Sequence, residues 1–399
     1  MLIFVANLGS TSFKYKLYDM PSQRVLAVGA SDRIGEPSGA WSVSGDGVED
    51  NGEAEQRDHK QSIELHLAKL TEHGLIDSAE AIDAIGFKAV HGGPISGAVR
   101  VDDKVLDTMR SLYPLAPAHN PPYVEAMQGF REALPGAEQV AAFETGFHAD
   151  IPLARQIYGV PYEWYEKYGV RRYGFHGASN AYVASRMAEL APECKRIINL
   201  HLGGSCSVCA IRDGKSIAHS MGATPQTGVF HANRAGEFDP FAVLAMRDAG
   251  LDDDAIYHGL GKQGGLLGIS GIGADLRDIR AAAQEGNERA QLAIDAFVES
   301  CRHYLGAYLA VLGGVDAVTF TAGIGQYEPT IRAAICDNLG FAGIAIGPKQ
   351  NAEATGKTDQ RIDNPDASQP GTAQVWVVPT NEELVVARQT ADVLNQVTV

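Results

Sequence analysis

The sequence predicts an α/β protein built from two related domains, and three observations carry that expectation. The chain has 399 residues, beyond the size that one hydrophobic core serves, so two domains are the default. Its opening pattern also recurs. Asn7-Leu-Gly-Ser-Thr-Ser12 follows Ile3-Phe-Val-Ala6 as Leu202-Gly-Gly-Ser-Cys-Ser207 follows Arg196-Ile-Ile-Asn-Leu200. Registered without a gap, Leu8, Gly9, Leu17 and Asp19 fall on Leu202, Gly203, Ile211 and Asp213. Each half then reads as apolar strand, Gly/Ser turn, second strand and acidic turn. Only two copies occur, which means paired domains and not a solenoid. The third observation is the alternation of short apolar strand segments with helical ones. Small residues at a strand-to-strand bend let successive backbone N–H groups cradle an anion, most often phosphate. Either turn alone reads as an ordinary hairpin; the pairing favours the phosphate reading.

In order along the chain, residues 2–6, 13–18 and 25–29 are expected strands flanking the first turn. Glu36 to Ser62 is rich in Gly, Ser, Asp and Glu and reads as an exposed hairpin or loop. Ser62 to Gly74 has helical apolar spacing with Gly74 as its stop, and Ala84 to Gly93 is a short buried strand. Prolines forbid a helix interior over residues 115–122, so His119 is expected in an extended loop before a helix starting near Pro122. Residues 139–143 form a strand with Glu144 at its C-terminal end, where open α/β sheets bind ligands. Arg171 to Ser179 puts two arginines and His176 on glycine-flexible backbone that opens a helix from Asn180. Beyond the second copy, residues 220–240 form a dense loop around Arg234. Residues 264–271 are a Gly-rich segment leading into a helix, and Asn287 to Leu312 is a long helix ended by Gly313. Apolar residues lie most of the way round that helix, so burial against a sheet or a second subunit is expected. Ala317 to Thr321 is a strand running into a close-approach turn at Ala322-Gly-Ile-Gly325. Residues 351–371 are loop-like, Val375 to Val378 is a strand, and Asn381 caps a final helix.

Composition narrows function. A formal charge of −16, from 33 basic against 49 acidic residues, disfavours nucleic acid or an anionic membrane as main partner. No apolar run reaches the length of a membrane span, and the first residues lack a signal-peptide pattern, which points to a cytoplasmic protein. Cys194, Cys206, Cys209, Cys301 and Cys336 are scattered and odd in number, as expected of reduced, mostly buried thiols.

Enough motifs are now in hand for a resemblance. Asn7 to Lys14, Val90-His-Gly-Gly93, Leu115-Ala-Pro-Ala-His-Asn-Pro121, Arg171 to Gly177, Gly264 to Ser270, Phe320-Thr-Ala-Gly-Ile-Gly325 and Pro379-Thr-Asn-Glu-Glu-Leu384 resemble the acetate kinases. The likeness runs from the first strand to the last helix in family order. It implies duplicated actin-like ATPase (ribonuclease H-like) α/β domains with a central cleft. The expected lobes are 1–147 plus 383–399, and 148–382, the latter carrying the nucleotide site and dimer interface. It also implies a homodimer that moves the ATP γ-phosphoryl group reversibly to acetate, giving acetyl phosphate and ADP, with Mg2+ or Mn2+.

A carboxylate is already ionised at neutral pH and needs no general base, so catalysis reduces to positioning and charge neutralisation. By resemblance, Glu144, Arg234, His176 and His119 are catalytic. Lys88 faces acyl and phosphoryl oxygens, and Val90, Ala118, Phe175 and Pro225 line the acyl pocket. Asn7 and Glu382 are the metal residues. Ser10, Ser12 and Lys14 line the first phosphate turn, and His201, Leu202, Gly203, Gly204 and Ser205 hold nucleotide phosphates. Asp275, Leu276 and Arg277, with Gly323, Ile324, Gly325, Gln326 and Tyr327, surround the adenosine. Taken singly, each has a plain structural reading: Asn7 a turn cap, Glu382 a first-turn acid favoured by the helix dipole, the histidines core residues.

Five positions depart from the family pattern and cluster at the chemistry. The usual arginine is Lys88, which keeps charge but loses the bidentate fork. The usual aspartate is Glu144, Gly-Asn-Gly is Gly203-Gly-Ser205, Gly-Thr before the arginine is Ala232-Asn233, and the acid after Gly-Ile-Gly is Gln326. Two other readings therefore stay open: a kinase for another short acyl acceptor (propionate, butyrate) or donor (pyrophosphate), and a non-catalytic nucleotide- or acyl-phosphate-binding homologue.

Overall fold

The computed structural model describes residues 1–117, 119–364 and 372–396, in two compact units: Met1–Ala149 with Asn381–Val399, and Asp150–Thr380. In the first, the strands are β1 (Leu2–Leu8), β2 (Ser12–Asp19), β3 (Arg24–Asp32), β4 (Gly39–Gly45), β5 (Val48–Ala54), β6 (Ala84–Ala89), β7 (Ala98–Arg100) and β8 (Glu138–Phe143); β1, β6 and β8 are buried almost throughout, whereas β2 to β5 largely alternate between less exposed and more exposed residues. They form one sheet in the order β5-β4-β3-β2-β1-β6-β8-β7. In the second, β9 (Arg196–Leu202), β10 (Cys206–Arg212), β11 (Lys215–His219), β12 (Ala317–Thr321), β13 (Gln360–Arg361) and β14 (Gln374–Val377) are ordered β11-β10-β9-β12-β14-β13.

The two sheets share a plan: three antiparallel strands continued by two parallel ones, β3-β2-β1-β6-β8 matching β11-β10-β9-β12-β14. One detail corrects the gapless registration. Leu8 pairs with Phe13, but Leu202 pairs with Cys206, so the second turn is one residue shorter. Beyond the turn, Leu17 corresponds to Ala210 and Asp19 to Arg212, not to Ile211 and Asp213. With that slip applied, the register shift between Leu17 and Tyr18 falls on the one between Ala210 and Ile211. A bulge inherited at the same place is a mark of common descent for the two sheets.

Most expected elements are present with shifted ends. The polar stretch after Glu36 holds the β4–β5 hairpin, and the next helix, His59–Glu72, starts earlier than Ser62 because Asp58 caps it by accepting from Gln61 N at 2.8 Å. The helix expected near Pro122 is Asn120–Ala133, with prolines in its first turn, where a missing N–H costs nothing. His119 is therefore its N-cap residue and not part of an extended loop, while Ala118 lies outside the described residues. The helix expected from Asn180 begins at Gly177. Gly265–Ser270 is itself helical, and so is Ala322–Tyr327, where a turn was expected; Ala322 at φ 63° makes the bend and the helix follows at once. Pro348–Glu353 is helical within the expected loop, and residues 365–371 lie outside the described ones.

The helix Glu288–Leu312 buries one stripe, Ala290, Ala293, Phe297, Cys301, Leu305, Tyr308 and Leu312, at helical spacing. It packs against β9 and β10, as expected of burial against a sheet, while Leu292 on its outer side is 57% exposed. All five cysteines are free and buried. Among the described residues no helix is long and apolar enough to cross a membrane.

The last helix, Glu382–Asn395, lies on the first sheet, where Val386 and Ala387 join Ile3 and Val5 in one apolar cluster. Asn381 caps it by accepting from Leu384 N, and Tyr18 Oη donates to the same carboxamide oxygen, both at 3.3 Å. Close seating depends on Gly86 of β6, where a Cβ would come within 2.4 Å of Thr390 Oγ1 and 3.0 Å of Val386 Cγ1. Gly86→Ala is expected to push the helix off the sheet at a cost of about 1–3 kcal/mol, read as a lower urea midpoint with an unchanged m-value.

Candidate functional site

In the first unit the chemistry gathers at the C-terminal ends of β1, β6 and β8. Lys88, near the end of β6, donates to Glu382 Oε2 at 2.6 Å, and both side chains are mostly buried. Burial alone would lower the Lys88 pKa; the Glu382 and Glu144 carboxylates outweigh it and hold the ammonium above its ordinary value. Glu144 directly follows β8 and is buried. Asn7 joins the group through Tyr123, a residue that sequence reading passed over. Tyr123 Oη donates to Asn7 Oδ1 at 3.3 Å and accepts from Leu8 N at 3.2 Å. Burial pushes its phenol up to about 12, with the charges of Lys88, Glu144 and Glu382 also acting on it. One ammonium against two carboxylates leaves this set net negative and rich in hard oxygen donors, the chemistry Mg2+ prefers. Among the described residues no group of three or more His, Cys, Asp or Glu could hold a metal alone.

The other first-unit residues lie nearby in sequence with less to hold them. Ser10 and Lys14 are exposed, Ser12 is half-buried and opens β2, and Lys14 pairs in register with Asn7. Val90 is half-buried beside the wholly buried His91, whose Nδ1 accepts from Gly93 N at 3.0 Å.

In the second unit His176 adopts the left-handed conformation, φ 54°, at the N-cap of its helix. Its Nδ1 bonds Ser207 Oγ at 2.8 Å, and its ring stacks on His201 with centroids 3.9 Å apart. His201 Nδ1 in turn bonds Ser179 Oγ at 2.8 Å. The two rings are thus held from both sides by serines. Arg171 and Arg172 are spent on bracing: they lie over Tyr173 and Tyr158. Phe175 is buried in the core.

Arg234 is held differently. Its Nη1 donates to Ser205 Oγ at 3.2 Å and to the carbonyl of Pro225 at 2.9 Å. Both acceptors are neutral, and burial pulls the guanidinium below its ordinary pKa. A second residue absent from the sequence reading, His231, sits wholly buried beside it. Cys206 N donates to His231 Nδ1 at 2.9 Å, and burial with the Arg234 charge pushes the imidazole down to about 3. A lone histidine in an apolar loop carries no sequence signal that separates it from any core residue.

A cavity of about 490 Å3 opens beside this turn. Of the residues expected around a nucleotide, Gly203, Gly204, Asp275, Leu276, Arg277, Gly323, Ile324 and Tyr327 line it, joined by Ala232, Ala274 and Glu328. Gly203 lies against Ala322 and Gly323, where an added Cβ would stand 3.4 Å from the Ala322 side chain. The turns after the parallel neighbours β9 and β12 thus meet at one wall. Arg277 and Asp275 pair at 2.6 Å, and Glu328 pairs with Arg280. Five expected residues are not in the wall: His201 and Leu202 are buried behind it, Ser205 turns to Arg234, and the carbonyls of Gly325 and Gln326 accept from the buried Arg332 at 2.9 and 2.8 Å.

The sequence profile of the acetokinase family matches residues 2–388. The chain belongs to that family. It is 41% identical to an acetate kinase of Natranaerobius thermophilus over 99% of this chain and 100% of the relative. It is 42% identical to one of Dictyoglomus thermophilum over the same shares. Among solved structures, the acetate kinase of Porphyromonas gingivalis superposes with a TM-score of 0.89 at 36% identity, covering 99% of this chain and 100% of that one. A propionate kinase of Francisella tularensis superposes at 0.90 with 31% identity, covering 98% and 99%. Membership makes this acetokinase-family chain a phosphotransferase with the duplicated actin-like α/β fold, and its paired sheets are the two copies.

His231 gives this region an acid signature. The unfolded chain binds its proton near pH 6.5 and the folded one only near 3, so its contribution to stability is complete above 6.5 and lost as pH falls towards 3. Urea unfolding at pH 6.5 and 4.5 is expected to show a loss larger by about 2 kcal/mol in the wild type than in His231→Asn.

Proposed function

We propose that the chain reversibly transfers the γ-phosphoryl group of ATP to acetate, giving acetyl phosphate and ADP. The observation that carries this reading is the half-buried Arg234 guanidinium, bonded among the described residues to neutral oxygens, beside a glycine turn that opens on a nucleotide-sized cavity. A largely desolvated cation whose partners are neutral is poised for an anion from solution.

The acceptor carboxylate attacks as it stands, and no residue needs to remove a proton. Arg234 would neutralise charge building on the equatorial phosphoryl oxygens. His176 would donate a hydrogen bond to the same group from Nε2, in the tautomer in which Nδ1 accepts from Ser207 Oγ. His119 would support it. The turn at Gly203 and Gly204 would hold the nucleotide phosphates through backbone amides, with Asp275 to Arg277 and Gly323 to Tyr327 around the nucleoside. By the family pattern Lys88 and Glu144 would address the acyl side, and Val90, Phe175 and Pro225 are the residues proposed for the acyl chain. Asn7 and Glu382 would hold Mg2+ or Mn2+, which when bound shields the charge of the phosphates. Lys88, which donates to Glu382, would share that carboxylate with the ion, and as a lysine it offers a single ammonium where the family's arginine offers a bidentate fork.

The likeness to a propionate kinase supports a second reading, in which a longer acyl acceptor is preferred. The assay is hydroxylamine trapping of acyl phosphate, with acetate, propionate or butyrate against ATP or pyrophosphate. ATP, Mg2+ and acetate are expected to give the largest kcat/KM. A higher value for propionate, butyrate or pyrophosphate would move the assignment to that substrate. Nucleotide binding by calorimetry without product under any pairing, and turnover restored by Lys88→Arg with Glu144→Asp, would establish a non-catalytic homologue.

A homodimer fits the second unit's surface. The helices Tyr162–Tyr168 and Ala242–Asp248 bury no residue, and Phe241, Leu244 and Tyr257 are 75%, 53% and 64% exposed; contiguous exposed apolar surface marks protein contacts, and Phe241 and Leu244 fall within one helical turn of each other. Sedimentation equilibrium is expected to give twice the 42.5 kDa chain mass, falling to one chain for Phe241→Asp with Leu244→Asp. The five free cysteines suit a reducing, cytoplasmic setting.

A further inference from the structure

We propose that His231 is a positioning residue for phosphoryl transfer: its ring ties the phosphate turn at Ser205 and Cys206 to the loop that carries Arg234. The proposal rests on the reading that this turn and Arg234 act on the nucleotide and its transferred group.

The ring is the hub of a short network. Nδ1 accepts from the backbone N–H of Cys206 at 2.9 Å, and Ser205 Oγ lies 3.4 Å from the same nitrogen. Ser205 Oγ is also the acceptor for Arg234 Nη1, at 3.2 Å. One side chain therefore touches the turn at two consecutive residues, and one of those residues touches the guanidinium. The backbone strengthens the same link: His231 N donates to Arg234 O at 3.2 Å, Ala232 N to Gly204 O at 3.1 Å, and Leu266 N to His231 O at 3.0 Å. The glycine pair after Gln263 makes room for this packing. A Cβ on Gly265, at φ 60°, would stand 2.1 Å from His231 O and 2.6 Å from Arg234 O.

The chemistry requires an acceptor at Nδ1, hence a neutral ring with its proton on Nε2. Were that acceptor lost, the buried Cys206 N–H would be left unsatisfied, and the turn would swing to find a partner. Because Ser205 shares the turn, Arg234 would lose its anchor in the same movement. His231 thereby couples two functions that a histidine serving only as core packing would leave independent: how well the turn holds nucleotide, and how well Arg234 is aimed.

The test compares full-length wild type, His231→Leu and His231→Asn. Leucine fills similar volume without an acceptor, while the Asn carboxamide oxygen stands where Nδ1 stood. Kinetics are run well below each melting temperature, and the ADP dissociation constant is measured by calorimetry. His231→Leu is expected to raise the ADP dissociation constant and the KM for ATP about tenfold and to lower kcat about tenfold. His231→Asn is expected to restore all three to within about threefold of wild type. A leucine variant that is less heat-stable but unchanged in affinity and kcat would overturn the proposal, as would an Asn variant as impaired as leucine. Should leucine fail to fold, His231→Ser, whose hydroxyl is too short to reach Cys206, takes its place with the same expectations. If wild type turns over no substrate pair, the functional reading falls on its own, and ADP affinity across the variants still decides the role of His231.

Discussion

The candidate site is organised around how two largely desolvated cations, Lys88 and Arg234, are compensated. Lys88 is answered inside the protein, by Glu382 and Glu144, and its pKa rises accordingly. Arg234 is answered only by a hydroxyl and a carbonyl, and its pKa falls. A guanidinium kept out of water without a counter-charge is costly, and the surrounding loop over-determines its position. Glycines at 264 and 265 admit the close backbone approach, and His231 holds the neighbouring turn. On the proposed function, that local cost would be offset when an anion such as a phosphoryl group supplies the missing charge.

Gene duplication explains why both sets of groups sit at the same kind of place. Each unit lays three antiparallel strands beside two parallel ones, and each carries its strand-to-strand turn at the end of the central strand. The matching bulges at Leu17/Tyr18 and Ala210/Ile211 preserve that history although the turns differ in length. The copies have since diverged in chemistry. The first turn continues into exposed Ser10 and Lys14 and sits by a net acidic cluster, whereas the second, shorter turn lies beside Arg234 and the nucleotide-sized cavity.

Much of this was legible in the residues. Strand and helix order follows from periodicity, the repeat from the two glycine turns, and family membership from motifs spread along the whole chain. The misjudged points share a cause. The helix start at His59 was set by the Asp58 cap, which propensity weighs poorly. The one-residue slip in the repeat was invisible because a turn can lose a residue without disturbing the apolar pattern on either side.

By itself the sequence determined the two-fold plan, the set of charged and small residues available for phosphoryl transfer, and the departures from the family pattern, since these reside in residue identity and order. Only the tertiary structure decided which groups neutralise one another. Lys88 meets Glu382 from 294 positions away, Tyr123 reaches Asn7 across 116, and His231 closes on Cys206 across 25. Ion pairing and hydrogen bonding depend on distances of a few ångströms and on burial, and a chain acquires both only when its strands are brought side by side.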